Sequence, residues 1–372
     1  MIYFDNAATS LHKPKAVKQA INYALDILTA NPGRSGHQLS NMVAEYIYDT
    51  REKVKHFFHA SQHNVIFTKN CTEALNLAIL GTLNKGDHVI CTRYEHNSVL
   101  RTINSMQEDI QWTIIDDEMS RLPELIEDAI QANTKLVVTT HISNVTGEVC
   151  DISRIGRMCR EKDIIYLVDG AQSSGHIQID LDNAGVDMFA CAGHKGLLAI
   201  TGVGCLVIKD GIKLHPILYG GTGTDSNNLD QPMIVPEGFE AGTLPTIPIL
   251  SLRSGIEFLE KNLSKIIKYE KNLTKYAYFA LKKLDFLKIY SVERSLNVIS
   301  FNVNGMDSNE VANDLNEKYS ICVRSGLHCA PLIHKALDNM QGCVRVSLDF
   351  NNTEAEIDQL CVALAKIYSS YS

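Results

Sequence analysis

Residues 166–198 read YLVDGAQSSGHIQIDLDNAGVDMFACAGHKGLL, and this stretch decides the fold. Two short apolar runs cross it, DIIYLVD (163–169) and VDMFACA (186–192), each followed by a polar turn that contains glycine. Runs of this length, rich in β-branched and aromatic residues and bounded by Gly, read as buried strands. Asp169 closes the first, and Lys195 of GHKG follows the second. Outward from them the same punctuation recurs in NVIFT (64–68), DHVICT (87–92), KLVVTTHIS (135–143) and GVGCLVI (202–208). Helical patterns lie between, at 72–83, 96–106, 120–132 and 151–162. Strands alternating with helices predict an α/β fold with a mostly parallel sheet, whose ligands gather at the loops beyond the strand carboxyl ends. Asp169 and Lys195 then converge over one sheet edge.

The rhythm changes at 220–248, a loop rich in Gly, Pro, Asn and Thr; loops this long in compact domains tend to be functional. A helical run follows over 249–284, then NVISFNV, a helix at 308–318, ICVRSG, GCVRVSL and a last helix at 353–368. These form a smaller α+β domain that carries the loop RSGLHCAP (324–331). The expected division is a large domain over 13–248 and a small one built from 1–12 and 249–372.

Composition narrows the function. The 372 residues carry a net charge of −8 with no long run of either sign, which disfavours nucleic acid as the main ligand. The start MIYFDNAATS lacks a basic region ahead of an apolar one, and no segment reaches the ~18 apolar residues of a membrane helix. A cytoplasmic protein is expected, and its ten cysteines are then reduced thiols. Cys91, Cys205 and Cys343 sit in apolar runs and read as small buried hydrophobes. Neither GxGxxG after a strand, nor GxxxxGK[ST], nor HExxH occurs. A zinc site drawn from Cys322, His328, Cys329, His334 and Cys343 is disfavoured, because no CxxC pair anchors it.

A lysine beyond a buried strand suits Schiff-base chemistry, because desolvation lowers the amine's pKa. An acid on the neighbouring strand suits the protonated ring nitrogen of pyridoxal phosphate. TKNCTEALN (68–76) places a helix N-terminus and the Thr72 hydroxyl where a phosphate is held. Each has a plainer reading when taken alone: Asp169 caps a turn, Lys195 is a surface lysine, and Thr72 belongs to an ordinary capped helix.

Taken together, FDNAAT, NPGRSGHQLS, TEALN, YEHNSV, ISNVTGEV, VDGAQ, GHKG, FEAGT, RSGLHCAP and RVSL resemble the pyridoxal-phosphate-dependent class V aminotransferase family, within it the cysteine desulfurase and selenocysteine lyase group. The likeness runs from residue 4 to residue 353. It implies fold type I, with a seven-stranded sheet in the large domain. It also implies that Lys195 holds the cofactor as a Schiff base, Asp169 meets the pyridine nitrogen, and Gln172 lies near the ring hydroxyl. His96 stacks on the ring, beside Asn144. Thr72, His194 and the backbone at Cys71 hold the phosphate. Thr243 reaches the cofactor of a partner, which makes a homodimer. Arg345 pairs with the substrate carboxylate, and Arg34 and His37 approach the site. His96 also reads as a helix-start residue, Arg345 as a structural ion-pair partner, and Arg34 and His37 as the start of a helix.

The implied reaction takes L-cysteine to alanine, with Cys329 attacking as a thiolate and keeping the sulfur as a persulfide for an acceptor protein. Arg324 and His328, close in sequence, are expected to favour that thiolate. The loop has no insertion around the cysteine, as in the short-loop desulfurases. A selenocysteine lyase shares nearly every residue, whereas a class V aminotransferase has no use for Cys329. A scaffold without catalysis is disfavoured by the intact Lys195, Asp169 and Cys329. Three positions depart from the family pattern. Ala192 stands where a hydroxyl residue is usual, Asn70-Cys71 replaces Gly-Thr, and AITG (199–202) replaces Gly-Pro-Thr-Gly.

Overall fold

A computed structural model describes residues 1–32, 35–224 and 227–371. The chain opens on β1 (Ile2–Tyr3), followed by α1 (Lys15–Ile27) and α2 (Gln38–Phe57). Strands and helices then alternate: β2 (His63–Thr68), α3 (Cys71–Thr82), β3 (His88–Thr92), α4 (Asn97–Ser105), β4 (Gln111–Ile115), α5 (Leu122–Asp128), β5 (Thr134–Thr140), α6 (Ile152–Glu161), β6 (Ile165–Asp169), α7 (Leu181–Ala184), β7 (Met188–Ala192) and β8 (Gly204–Lys209). The remainder holds α8 (Thr246–Lys282), β9 (Leu287–Ile289), β10 (Val298–Val303), α9 (Ser308–Tyr319), β11 (Ile321–Cys322), α10 (Pro331–Ala336), β12 (Val344–Ser347) and α11 (Glu354–Tyr371).

Seven strands form the main sheet in the order β2-β8-β7-β6-β5-β3-β4, with only β8 running against the others. This is the expected α/β fold. Alternate residues divide between two cores: Val137, Tyr166, Val168 and Phe189 face one side, and Leu136, Val138, Leu167 and Met188 the other. Helices cover both faces, which is why the strands read as continuous apolar runs. The strand β4 escaped the sequence reading, since it is an edge strand whose first four residues keep some exposure. The helical pattern at 120–132 shortens to a 3₁₀ turn, Met119–Arg121, and α5.

A three-stranded sheet, β12-β10-β9, and the parallel pair β1–β11 share a separate core with α9 and α11. The N-terminal strand thus joins the C-terminal part of the chain. The 37-residue helix α8 links both regions, packing on α1 and α2 and, further along, on α11, β9 and β10. It passes the turn after Lys195 so closely that a Cβ on Gly255 would lie 2.1 Å from the Leu197 carbonyl oxygen.

Gly170 has a similar role beneath the turn after Asp169, where a Cβ would lie 1.9 Å from the Phe189 ring. Phe189 is fully buried and has no room to retreat. Gly170→Ala is therefore expected to destabilise the chain by about 3 kcal/mol. A clear fall in the urea unfolding midpoint is the expected reading, and an unchanged midpoint contradicts it.

Candidate active site

The carboxyl ends of β2, β3, β5, β6 and β7 open into one cleft. At the end of β2, the Asn70 side chain caps α3 by accepting the Glu73 N–H at 3.0 Å. Cys71 and Thr72, in the first turn, line the cleft, and their N–H groups have no acceptor within the helix. The Thr72 hydroxyl lies 2.8 Å from the Ser98 hydroxyl, which lies 2.8 Å from His96 Nδ1.

His96 follows β3 and caps α4, and its Nδ1 accepts the Ser98 N–H at 3.1 Å. That bond leaves the ring proton on Nε2. Burial holds the His96 pKa below the usual value, so the ring is neutral near pH 7. Asp169 ends β6, and its Oδ1 accepts the Ala171 N–H at 2.9 Å and the Cys71 thiol at 3.5 Å. Burial, and then the Asp169 charge, push the Cys71 pKa well up, so this thiol keeps its proton and donates.

The turn after β7 is held from below. The His194 carbonyl accepts from the Ser10 N–H at 3.2 Å, the Thr9 and Ser10 hydroxyls at 3.1 Å each and Lys13 Nζ at 3.0 Å. The Lys195 carbonyl takes a second bond from the Ser10 hydroxyl at 3.0 Å. Burial lowers the Lys195 pKa, with the Asp169 carboxylate opposing. Gln172 lines the cleft and donates to the Ala7 carbonyl at 3.0 Å.

Cys329 reaches this region on a loop held at two points. Asn97 N–H donates to the Cys329 carbonyl at 2.7 Å, and Asn144 Nδ2 donates to the His328 carbonyl at 2.7 Å. His328 and Cys329 have φ of 49° and 58°, consecutive non-glycine residues in the left-handed region. Strain of this kind collects at functional loops. Arg324 Nη2 stands 3.8 Å from Cys329 Sγ.

Several expectations need correction or a new place. The His328 ring turns away from Cys329, with Nε2 3.0 Å from the Cys343 carbonyl. Burial first, then the positive charge of Arg345, drive its pKa down to about 2, so it brings no cation to Cys329; Arg324 does. Arg345 is 1% exposed and lies outside the cleft lining. Its Nη2 pairs with Asp5 at 2.9 Å and its Nη1 donates to the Asn144 carbonyl at 3.1 Å. The ion-pair reading of this residue thus has a partner 340 residues away, which no local pattern signals. Thr243 lies outside the cleft too, in a surface cavity with Lys69, Glu73 and Leu218. His37 caps α2, accepting the Ser40 N–H at 3.2 Å. Arg34 lies outside the described residues.

Sequence reasoning missed Glu95, whose only signal is an acid directly before His96. It is fully buried and accepts from the Thr92 hydroxyl at 2.6 Å and the Thr140 N–H at 3.1 Å, tying the ends of β3 and β5 together. Burial pushes its pKa up to about 8.

These buried groups set a pH dependence. Burial pushes His141 and His194 down to about 4 and His328 to about 2, from an ordinary value of 6.5. As pH falls below 6.5 the unfolded chain takes up protons that the folded chain refuses, so stability falls with pH. Glu95 acts oppositely: its contribution is present below the ordinary 4.5 and lost as pH rises through about 8. Three histidines outweigh one acid, so Tm is expected to drop between about pH 7 and about pH 5. A calorimetric Tm that rises over that interval contradicts this balance.

The family model for class V aminotransferases matches residues 2–360. A probable cysteine desulfurase of Methanothermobacter thermautotrophicus is 34% identical over 98% of this chain and 94% of its own length. A cysteine desulfurase of Haloferax volcanii is 32% identical over 98% of this chain and 88% of its own. Among solved structures, the apo cysteine desulfurase of Thermococcus onnurineus superposes with a TM-score of 0.90 at 31% identity, covering 99% of this chain and 95% of that one.

Proposed function

We propose that this chain, which belongs to the class V aminotransferase family, is a cysteine desulfurase that takes sulfur from L-cysteine onto Cys329 and passes it to an acceptor. The observation that carries the reading is the meeting of Lys195, Asp169, His96 and the start of α3 in one cleft, with the Cys329 loop fastened beside it by Asn97 and Asn144.

The residues of the cleft fit pyridoxal phosphate, the cofactor of this family. A lysine of lowered pKa suits its aldehyde, and Asp169 suits a ring nitrogen. The free N–H groups of Cys71 and Thr72 and the Thr72 hydroxyl suit its phosphate. His194 Nδ1, buried and without a hydrogen-bond partner, is a further donor at this wall. Ser98, joined to Thr72, supplies a further hydroxyl to the cleft. When bound, the cofactor supplies an electrophilic carbonyl for the substrate amine and an electron sink for the Cα carbanion.

In this reading Lys195 takes the Cα proton, and burial, which lowers its pKa, favours the unprotonated amine this step needs. His96, neutral and holding its proton on Nε2, lines the cleft and would help to hold the cofactor. Cys329, with Arg324 beside it, attacks the substrate sulfur, and the carbon–sulfur bond breaks. The sums balance: one thiol and one L-cysteine give one persulfide and one L-alanine. Substrate carboxylate recognition by Arg345 requires it to exchange its bond to Asp5.

Thr243 belongs to the same reading as a group offered to a second copy. Apolar side chains near it are exposed, Tyr219 72% and Ile234 61% accessible, as a dimer contact requires. We also infer a cytoplasmic enzyme; among the described residues no helix is long and apolar enough to cross a membrane.

The test is product analysis. L-cysteine should yield alanine, and Cys329→Ala should abolish it. Keto acid formation indifferent to that substitution points instead to an aminotransferase. Running L-selenocysteine in parallel separates a lyase, which turns over that substrate in preference to L-cysteine.

A further inference from the structure

Outside the cleft, on the far side of the Cys329 loop, the fold joins His328, His334 and Cys343, all fully buried. One ligand atom from each lies within 4.8 Å of the others, the one such grouping among the described residues. These three come from the loop itself, from α10 and from the residue just before β12.

The hydrogen bonds around them are arranged as second-sphere bonds are around a metal. His334 Nδ1 is 3.2 Å from the Asn339 carbonyl, so it carries the ring proton and leaves Nε2 as a bare lone pair. That Nε2 is buried with no hydrogen-bond partner. His328 Nε2 is 3.0 Å from the Cys343 carbonyl, so it carries the ring proton and leaves Nδ1, buried and with no hydrogen-bond partner, as the second lone pair. Bond lengths of about 2.1 Å to nitrogen and about 2.3 Å to sulfur put tetrahedral ligands roughly 3.6 Å apart. The grouping as a whole must close by roughly 1 Å to reach that spacing.

We propose that His328, His334 and Cys343 form a transition-metal site, selective for zinc-like ions, that braces the base of the Cys329 loop. One thiolate and two neutral imidazoles are a borderline-soft set that favours Zn²⁺ over Mg²⁺ or Ca²⁺. Three protein ligands leave the fourth tetrahedral position open. Because His328 is the neighbour of Cys329, an ion there fixes the loop from beneath while Asn97 and Asn144 hold its backbone from the cleft. The disfavoured reading from sequence rested on the missing CxxC pair; here the ligands converge through tertiary structure instead.

The test uses the purified full-length protein, stripped with a chelator and titrated with Co²⁺ and then Zn²⁺. One Co²⁺ per chain is expected, with a thiolate-to-cobalt charge-transfer band and tetrahedral d–d bands, both displaced by Zn²⁺. Cys343→Ser, close in size, should lose the charge-transfer band and weaken binding at least tenfold, and His334→Gln should weaken it similarly. Cys329→Ala should keep the band. Zn²⁺ should raise the Tm of the unsubstituted protein and not that of Cys343→Ser. Absence of stoichiometric binding, a band that survives Cys343→Ser, or a band lost in Cys329→Ala overturns the proposal.

Discussion

Lys195→Ala is expected to lose at least about 10³-fold in turnover, the size of a missing general base, together with the stable attachment of cofactor. It should cost no stability. A buried amine is held below its ordinary pKa by the desolvation it suffers, and the neighbouring Asp169 carboxylate only partly offsets this. Removing the amine relieves that cost, so Tm of the stripped protein should stay level or rise. The backbone contacts of the turn, made by the His194 and Lys195 carbonyls to Ser10 and Lys13, do not involve the lysine side chain and survive the change. A lysine with only a structural role predicts the opposite pair of results: turnover kept and Tm lowered. Calorimetry of the stripped protein beside the turnover assay distinguishes them.

Arg345→Ala is expected to act on both stability and substrate binding. The guanidinium is 1% exposed and pairs with Asp5 while also holding the Asn144 carbonyl. Breaking such a pair costs about 3–5 kcal/mol. Its loss also loosens Asn144, the residue that fastens the His328 carbonyl, so KM for L-cysteine should rise with the fall in stability. Asp5→Asn separates the two roles. It removes the acid and leaves the guanidinium, so stability should fall while KM stays level or improves. If Asp5→Asn raises KM as far as Arg345→Ala does, Arg345 serves the substrate only through its ion pair.

The parts of this molecule legible in the sequence are those governed by short-range physics. Strands β2, β3, β5, β6, β7 and β8 were legible because both faces of the sheet are covered and every residue of their centres is apolar. Strand β4 was not, since four of its five residues keep some exposure and QWTII carries a weaker pattern. The cleft residues Asp169, Lys195 and Thr72 could be placed because each lies at or just past a strand end, and His96 through the likeness of YEHNSV to the family. Arg345 pairing with Asp5, Asn144 reaching His328, and His328 turning toward Cys343 depend on how distant segments pack. Nothing in the residues near them encodes those contacts. Glu95 lay in plain view beside His96, yet an acid at a strand end is ordinarily solvated, and only the packing of β3 against β5 buries it.

In the proposed reaction the substrate sulfur goes to Cys329, one thiol among ten. The most direct measurement is mass spectrometry of the protein after a brief incubation with L-cysteine, followed by alkylation and digestion. The account predicts that the peptide carrying Cys329 gains the mass of one sulfur atom, removable by a thiol reductant, in step with the alanine formed. In Cys329→Ala no peptide should gain it. Alanine formed with the added sulfur on another cysteine, or with none on any peptide, contradicts the account.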